Sequence, residues 1–275
     1  ANGLEFYTNP TDPVLTLSAN NGNATFSGSV TSTAVDLQAI AESKSVTAVD
    51  VFVYDTSKDS DGGAWRKRTQ NTSWYNEASG SNRSSRKEFP SVAVLAFNTS
   101  QELFIYDGDD PDLPIWAKYT NFTQDSGGFA SITAINGSIY CGQASSTAAY
   151  SGNGYFQLNF AVDYFFSNIV SIFSTHKQGR AEGLLTSYNY KSRGDRTTPL
   201  YGLVAYQVAD IAVTVLPNAP IDADTGLPVP TIAVATDGGV SVIKDDGTVV
   251  DIINIQDSST FNFCMDVHFR RDGGL

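Results

Sequence analysis

The chain has 275 residues, Lys+Arg 17 against Asp+Glu 29, and a formal net charge of −12. So acidic a chain offers no electrostatic footprint for a phosphate backbone, which argues against nucleic-acid binding. Its longest apolar stretches, such as Ile211–Leu216, fall far short of the ~18 residues of a membrane span.

Charged residues make up 17%, below the ~25% of an ordinary soluble domain. Ser, Thr, Asn and Gly fill the difference, as they do in sheet proteins with many polar turns. Cys141 and Cys264 are the only cysteines, so there is neither a disulfide framework nor a CxxC metal clamp. The two histidines, His176 and His268, are far apart in sequence, which argues against His-rich metal chemistry.

Residues 1–33 differ from the rest. Asn9-Pro-Thr-Asp-Pro13 forms turns, Val14–Leu17 reads as a short strand, and Ala19–Thr33 is small and polar with isolated apolar residues. Such a segment buries too little surface to fold alone. It is expected to be a flexible leader, or a fibre-like strand that orders when several chains wrap together.

From residue 34 to residue 275 the pattern is strand after strand. Leu37, Ala39 and Ala41 alternate with polar neighbours, and Val46–Tyr54 is a long β-branched and aromatic run. Val92–Phe97 and Leu103–Tyr106 form a hairpin. Ile132–Ile135 and Ser138–Tyr140 form another, joined by Asn136-Gly137, a pair favoured in type I′ turns. Phe160–Phe173 could compete as a helix, but its Val, Ile and Phe content favours strands. Ile232–Ala235, Val240–Ile243 and Thr248–Ile252 form a meander whose turns are Asp237-Gly238 and Asp246-Gly247. The last run, Met265–Phe269, reads as a strand. The chain opens on Ala1 with no apolar leader core and stops at Asp272-Gly-Gly-Leu275, where the second strand of a hairpin is expected. It therefore reads as a processed or truncated piece of something longer.

An internal repeat is visible. Val51–Asp55 and Leu103–Asp107 each lead, after a polar loop, to a tryptophan (Trp65, Trp116), with a spacing of about 50 residues that matches blade-like repeats. The expected fold is all-β: a β-propeller, complete or incomplete, with a β-sandwich as the alternative.

Three stretches resemble uncharacterised, propeller-forming virion proteins of tailed bacteriophages, best known from marine phages. They are Val51–Gln70, Ser85–Val94 and Ile105–Trp116. Gly22–Ser32 is similar to the shaft segments of tail-fibre proteins, and Ile232–Ile243 looks like a generic propeller blade. The specific resemblance covers residues 46–120. It implies a structural or host-contacting part of a phage particle, tail- or fibre-associated, with other virion proteins as partners, a homo-oligomeric state in the particle and no catalytic residue. A secreted bacterial propeller that binds or hydrolyses polysaccharide is the alternative.

Candidate sites follow from residue type. Asp107, Asp109, Asp110 and Asp112 cluster in one loop, with Asp55, Asp59 and Asp61 in the equivalent loop one repeat earlier. Calcium takes six to eight hard oxygens, and such loops supply them. Asp, Gly and Pro are also plain turn formers. Asp59–Trp65 is close to the Asp-box of sialidase-type propellers, with one position missing. Trp74 and Tyr75 lie in a polar, non-repeated insertion (69–88) and are the candidates for contact with a host-surface glycan. Trp65 and Trp116, repeated in position, are expected to pack. Arg66, Lys67, Arg68, Arg83, Arg86 and Lys87 form a basic island that either meets an acidic partner or balances local charge. There is no Gly-x-Ser-x-Gly elbow and no phosphate-binding glycine loop, so the chain reads as non-enzymatic.

Overall fold

The computed structural model describes residues 5–9, 12–17, 24–25, 48–100, 102–120, 128–144, 153–170, 179–183, 185, 202–205, 207–253, 262–270 and 274–275. The chain divides into two compact units, Ala1–Asp36 and Leu37–Leu275. In the first, β1 (Glu5–Asn9), β2 (Asp12–Leu17) and β3 (Ala24–Thr25) form an antiparallel sheet. The expected strand around Leu37–Ala41 lies outside the described residues.

The second unit holds three antiparallel meanders, in which each strand pairs with its neighbours in sequence. The first comprises β4 (Ala48–Asp55), β5 (Val92–Asn98), β6 (Leu103–Asp107) and β7 (Ile115–Tyr119). The second has five strands: β8 (Gly128–Ile135), β9 (Ser138–Ala144), β10 (Asn153–Asn159), β11 (Tyr164–Val170) and β12 (Gly179–Gly183). The third comprises β13 (Val208–Thr214), β14 (Thr231–Thr236), β15 (Gly239–Ile243) and β16 (Val249–Ile252). The fold is all-β, as its composition implies.

Turn chemistry sets the short hairpins. Asn136 and Gly137 both adopt positive φ (52° and 75°), the type I′ geometry whose twist matches the flanking strands. Gly137 is required for a second reason. A Cβ there would stand 3.0 Å from the Trp65 ring.

The apparent repeat is not a blade period. Val51–Asp55 and Leu103–Asp107 lie in β4 and β6, two strands of one sheet that flank β5 and are therefore parallel to each other. Their likeness reflects a shared environment on that sheet. The strand expected at Met265–Phe269 is also absent: residues 262–270 carry no strand pairing.

A different repeat organises the fold. The first strand of each meander carries a bulge at the same place, which skips Val49, Ala130 and Ala209 in the pairing register. The residue after each bulge (Asp50, Ser131, Asp210) reaches the next meander. Asp50 Oδ2 accepts Ile132 N–H at 2.8 Å, Ser131 Oγ accepts Ile211 N–H at 3.4 Å, and Asp210 Oδ2 accepts Val267 N–H at 2.9 Å. Asp-Val, Ser-Ile, Asp-Ile and Asp-Val thus recur at 50, 131, 210 and 266, which sets residues 262–270 in the position of a fourth first strand, with no strand pairing among the described residues but with Cys264 N–H donating to the Thr236 carbonyl at 3.0 Å. Bulges of this kind re-aim side chains, and here they aim an acceptor at a backbone donor of the next segment.

The cores follow the same order. One cluster joins the first meander to β8–β10 through Phe97, Ile105, Phe129 and Phe156. A second joins β9–β11 to the third meander through Tyr140, Tyr155, Ile211 and Ile232. A third packs Val267, Cys264 and Phe269 on Ala233 and Ala235.

Candidate functional site

The connections between first and second strands meet at one end of the second unit. They are residues 56–91, the Asn136-Gly137 turn and residues 215–230. Ser60 N–H donates to Asn136 Oδ1 (2.9 Å), Asn136 Nδ2 donates to the Pro228 carbonyl (3.2 Å), and Arg68 donates to the Thr225 carbonyl (3.3 Å). Asp59 anchors the junction. It is buried and accepts from Tyr54 Oη (2.6 Å), Trp65 Nε1 (2.7 Å) and Asn136 N–H (2.7 Å). Burial raises its carboxyl above the ordinary value against the pull of those donors. The Asp-box-like segment is therefore a structural knot.

Beside this junction lies an open groove of about 980 Å³. Its floor is Ser138 and Tyr140 of β9, Tyr155 and Gln157 of β10, and Tyr164 of β11. Its rims are Asn71 and Thr72 on one side, and Asp222–Pro230 with Lys244 on the other. Gln157 Nε2 donates to Ser138 Oγ (2.9 Å) and Tyr140 Oη (3.2 Å), which fixes the polar floor. Burial pushes the Tyr140 hydroxyl far above its usual range, so it stays protonated. Of the acids on the groove, Asp163 accepts from Ser73 N–H, Ser73 Oγ and Leu185 N–H, and Asp222 accepts from Asp224 N–H and Thr225 N–H. These two carboxylates set loop shape, whereas Asp224 and Lys244 are exposed on the rim. The groove thus combines hydroxyls, amides, tyrosine rings and a few charges, a surface suited to a polyhydroxylated ligand. Sequence reasoning missed it because its residues come from strands and loops far apart in sequence.

Of the two predicted glycan-contact aromatics, one points inward and the other is half-buried. Trp74 is fully buried. Thr72 caps helix α1 (Ser73–Asn76), Ser73 is tied to Asp163, and the indole turns inward to donate to the Phe160 carbonyl at 3.0 Å. There it packs edge to face on Trp116 and Phe160 (ring centroids 5.6 and 5.5 Å). Such pairs are worth ~0.5–1.5 kcal/mol each beyond the area buried. Tyr75 is half-buried against the same cluster, with the Lys87 ammonium 5.9 Å from its ring centre. The polar insertion is built around Trp74, with Tyr75 at its edge. Trp65 and Trp116 are buried as expected.

The acidic loop does not form a calcium cage either. Asp107 pairs with Arg86 Nη1 at 2.5 Å, and Asp109 pairs with Arg86 Nη2 at 2.6 Å. Asp109 also accepts Ser91 Oγ, Ser91 N–H and Val92 N–H. Asp110 accepts Asp112 N–H at 2.9 Å. Asp107 and Asp109 therefore bind a guanidinium, Asp107, Asp109 and Asp110 close turns, and the four acids Asp107, Asp109, Asp110 and Asp112 form no common metal-sized cluster among the described residues. The basic island serves the same purpose: Arg66 and Lys67 pair with Glu88, Arg68 with Asp61, and buried Arg83 stacks 4.0 Å over Trp116.

Among the described residues, the titratable atoms that do converge are those of Asp210, Asp266 and His268, within 4.8 Å of one another. They line a second cavity of about 850 Å³, formed by β4, β8, β13 and residues 266–270. Asp210 is desolvated, yet the Ser131 hydroxyl and Val267 N–H hold its carboxyl below the ordinary value. Asp50, also on this cavity, is raised by burial. Both oxygens of Asp210 are engaged in the inter-sheet ladder, which accounts for the cluster without a metal. No helix among the described residues is long and apolar enough to cross a membrane. No protein-family model, curated protein or solved structure matches this chain.

Proposed function

We propose that the chain is a non-enzymatic β-propeller component of a tailed-phage particle, tail- or fibre-associated. In this reading it assembles with other virion proteins and touches host-surface glycan through the groove beside the strand connections. The observation that carries the propeller reading is the ladder Asp50–Ile132, Ser131–Ile211, Asp210–Val267, which ties three meanders in sequence order, first strand to first strand, along one cavity. A β-sandwich would instead set two sheets face to face with alternating strands crossing between them. The particle assignment rests on the resemblance of Val51–Gln70, Ser85–Val94 and Ile105–Trp116 to phage virion proteins.

Two experiments test the reading. Antibodies against the chain should label purified particles at the tail in electron micrographs, and unlabelled particles would remove the virion assignment. Purified protein should bind host cells or their surface glycans. Asp224→Ala with Lys244→Ala should abolish that binding while leaving the melting curve in place. Binding that survives both substitutions would retire the groove. The polysaccharide-active alternative would draw on the exposed Asp224 carboxylate at the groove. Release of reducing ends from a bound polysaccharide would favour it.

A further inference from the structure

At the turn between β5 and β6 a lysine and an asparagine share one carboxylate. Glu102 Oε1 takes the Lys118 ammonium at 2.6 Å, and Glu102 Oε2 accepts from Asn98 Nδ2 at 2.7 Å. Asn98 ends β5 and is 8% exposed, and the Lys118 and Glu102 side chains are each 23% exposed. The other atom of the Asn98 carboxamide fixes its orientation. Oδ1 accepts the Ser100 and Glu102 N–H groups, both at 3.0 Å. Lys118, on β7, is held at both ends. Its N–H donates to the Asn82 carbonyl at 2.8 Å, and its ammonium lies 4.9 Å from the Phe104 ring centre. A plain salt bridge needs only the Lys and the Glu. Here the same carboxylate also binds a buried carboxamide whose oxygen already carries two donors.

We propose that Lys118 and Asn98 join in an intramolecular amide cross-link, with Glu102 as the proton carrier. The Lys118 hydrogen bond keeps the Glu102 carboxyl below its ordinary value, so it starts as a carboxylate able to accept a proton. The ammonium passes one proton to Glu102, and the freed amine lone pair attacks Cγ of Asn98. The carbonyl electrons move onto Oδ1, where the two N–H groups form a preorganised oxyanion site. Glu102 hands its proton to Nδ2, the Cγ–Nδ2 bond breaks, and ammonia departs. The Lys118 nitrogen gives its second proton to that ammonia, which leaves one amide and one ammonium ion. Neither oxidant nor cofactor is consumed. Holding both reactants on one carboxylate replaces a bimolecular encounter with a unimolecular step. The cross-link ties β5 to β7 across β6, and β7 is the last strand of its sheet.

Mass spectrometry of the full chain under denaturing conditions tests this, on fresh protein and after prolonged incubation at mildly alkaline pH, which frees the amine. The mass should fall by one ammonia, and trypsin, which needs the free lysine cation, should no longer cut after Lys118. A chymotryptic digest should contain the segments around Asn98 and Lys118 joined as one species. Lys118→Arg keeps the charge and the ion pair but has no nucleophilic amine, and should keep its full mass. Glu102→Gln should slow the mass loss by about a hundredfold or more, with circular dichroism unchanged. A wild-type chain that keeps its full mass throughout, or is still cut fully after Lys118, overturns the proposal. So does a mass loss that persists in Lys118→Arg, which is what cyclisation of an asparagine onto its own backbone gives.

Discussion

The carboxylate of Asp109 offers a quantitative test of how the acidic loop works. Burial alone would raise it, but the Ser91 hydroxyl and amide, the Val92 amide and Arg86 outweigh that and hold it at about 2 against an ordinary 3.8. At 1.36 kcal/mol per pH unit, a shift of that size is ~2.4 kcal/mol. The side chain is 25% exposed, and solvent screening of such a pair reduces the contribution to ~1 kcal/mol. A carboxyl lowered on folding binds fewer protons in the folded state. Its contribution is therefore complete above pH 3.8 and is lost as the pH falls through about 2. Asp109→Asn should thus lower the urea midpoint at pH 7 by the equivalent of ~1 kcal/mol, and the gap from wild type should close towards pH 2. A gap that does not change with pH, or none at pH 7, would refute the account. Calcium or a chelator should leave both curves where they are, because Arg86 already occupies Asp107 and Asp109. A calcium-dependent rise in Tm would reinstate a metal in the loop.

Other outcomes follow from the packing and the ladder. Trp74→Ala removes a fully buried indole and its bond to the Phe160 carbonyl, and should cost ~3–5 kcal/mol by chemical denaturation. Trp74→Phe should keep most of the stability and all of any glycan binding. Ser131→Ala takes away both the acceptor of Ile211 N–H and the donor to Asp210. It should cost ~1–3 kcal/mol, with hydrogen exchange at the Ile211 amide accelerating more than at Ile232 of the neighbouring strand. Gly137→Ala forces a Cβ against Trp65 at positive φ and should cost ~1–3 kcal/mol, read as a fall in Tm.

Much of the strand pattern was legible in the sequence. Val92–Phe97, Leu103–Tyr106, the Ile132–Tyr140 hairpin and the meander after Ile232 announce themselves by β-branched runs bounded by polar, Asn-Gly and Asp-Gly turns, and those signals are local. The organising repeat was not legible, because it amounts to two residues per meander with unequal spacing and one Ser in place of Asp. The likeness of Val51–Asp55 to Leu103–Asp107 was louder but arose within a single sheet. Trp74 was misplaced for a related reason. A polar stretch reads as exposed, yet Thr72, Ser73 and Asp163 turn its indole into the core. The groove was invisible because it exists only once three distant connections meet.

The bulge ladder separates two properties that most sheet proteins couple. Besides the shared cores and the junction around Asp59 and Asn136, successive meanders are linked by one acceptor and one amide on the first strand, well away from the connections at the far end. Those connections range from the two residues Asn136-Gly137 to the whole of residues 56–91, and the link takes the same form in each case. Selection can therefore lengthen, shorten or rewrite the rim of the groove while the frame beneath stays in register. Such a scaffold can vary its rim without relearning how to fold.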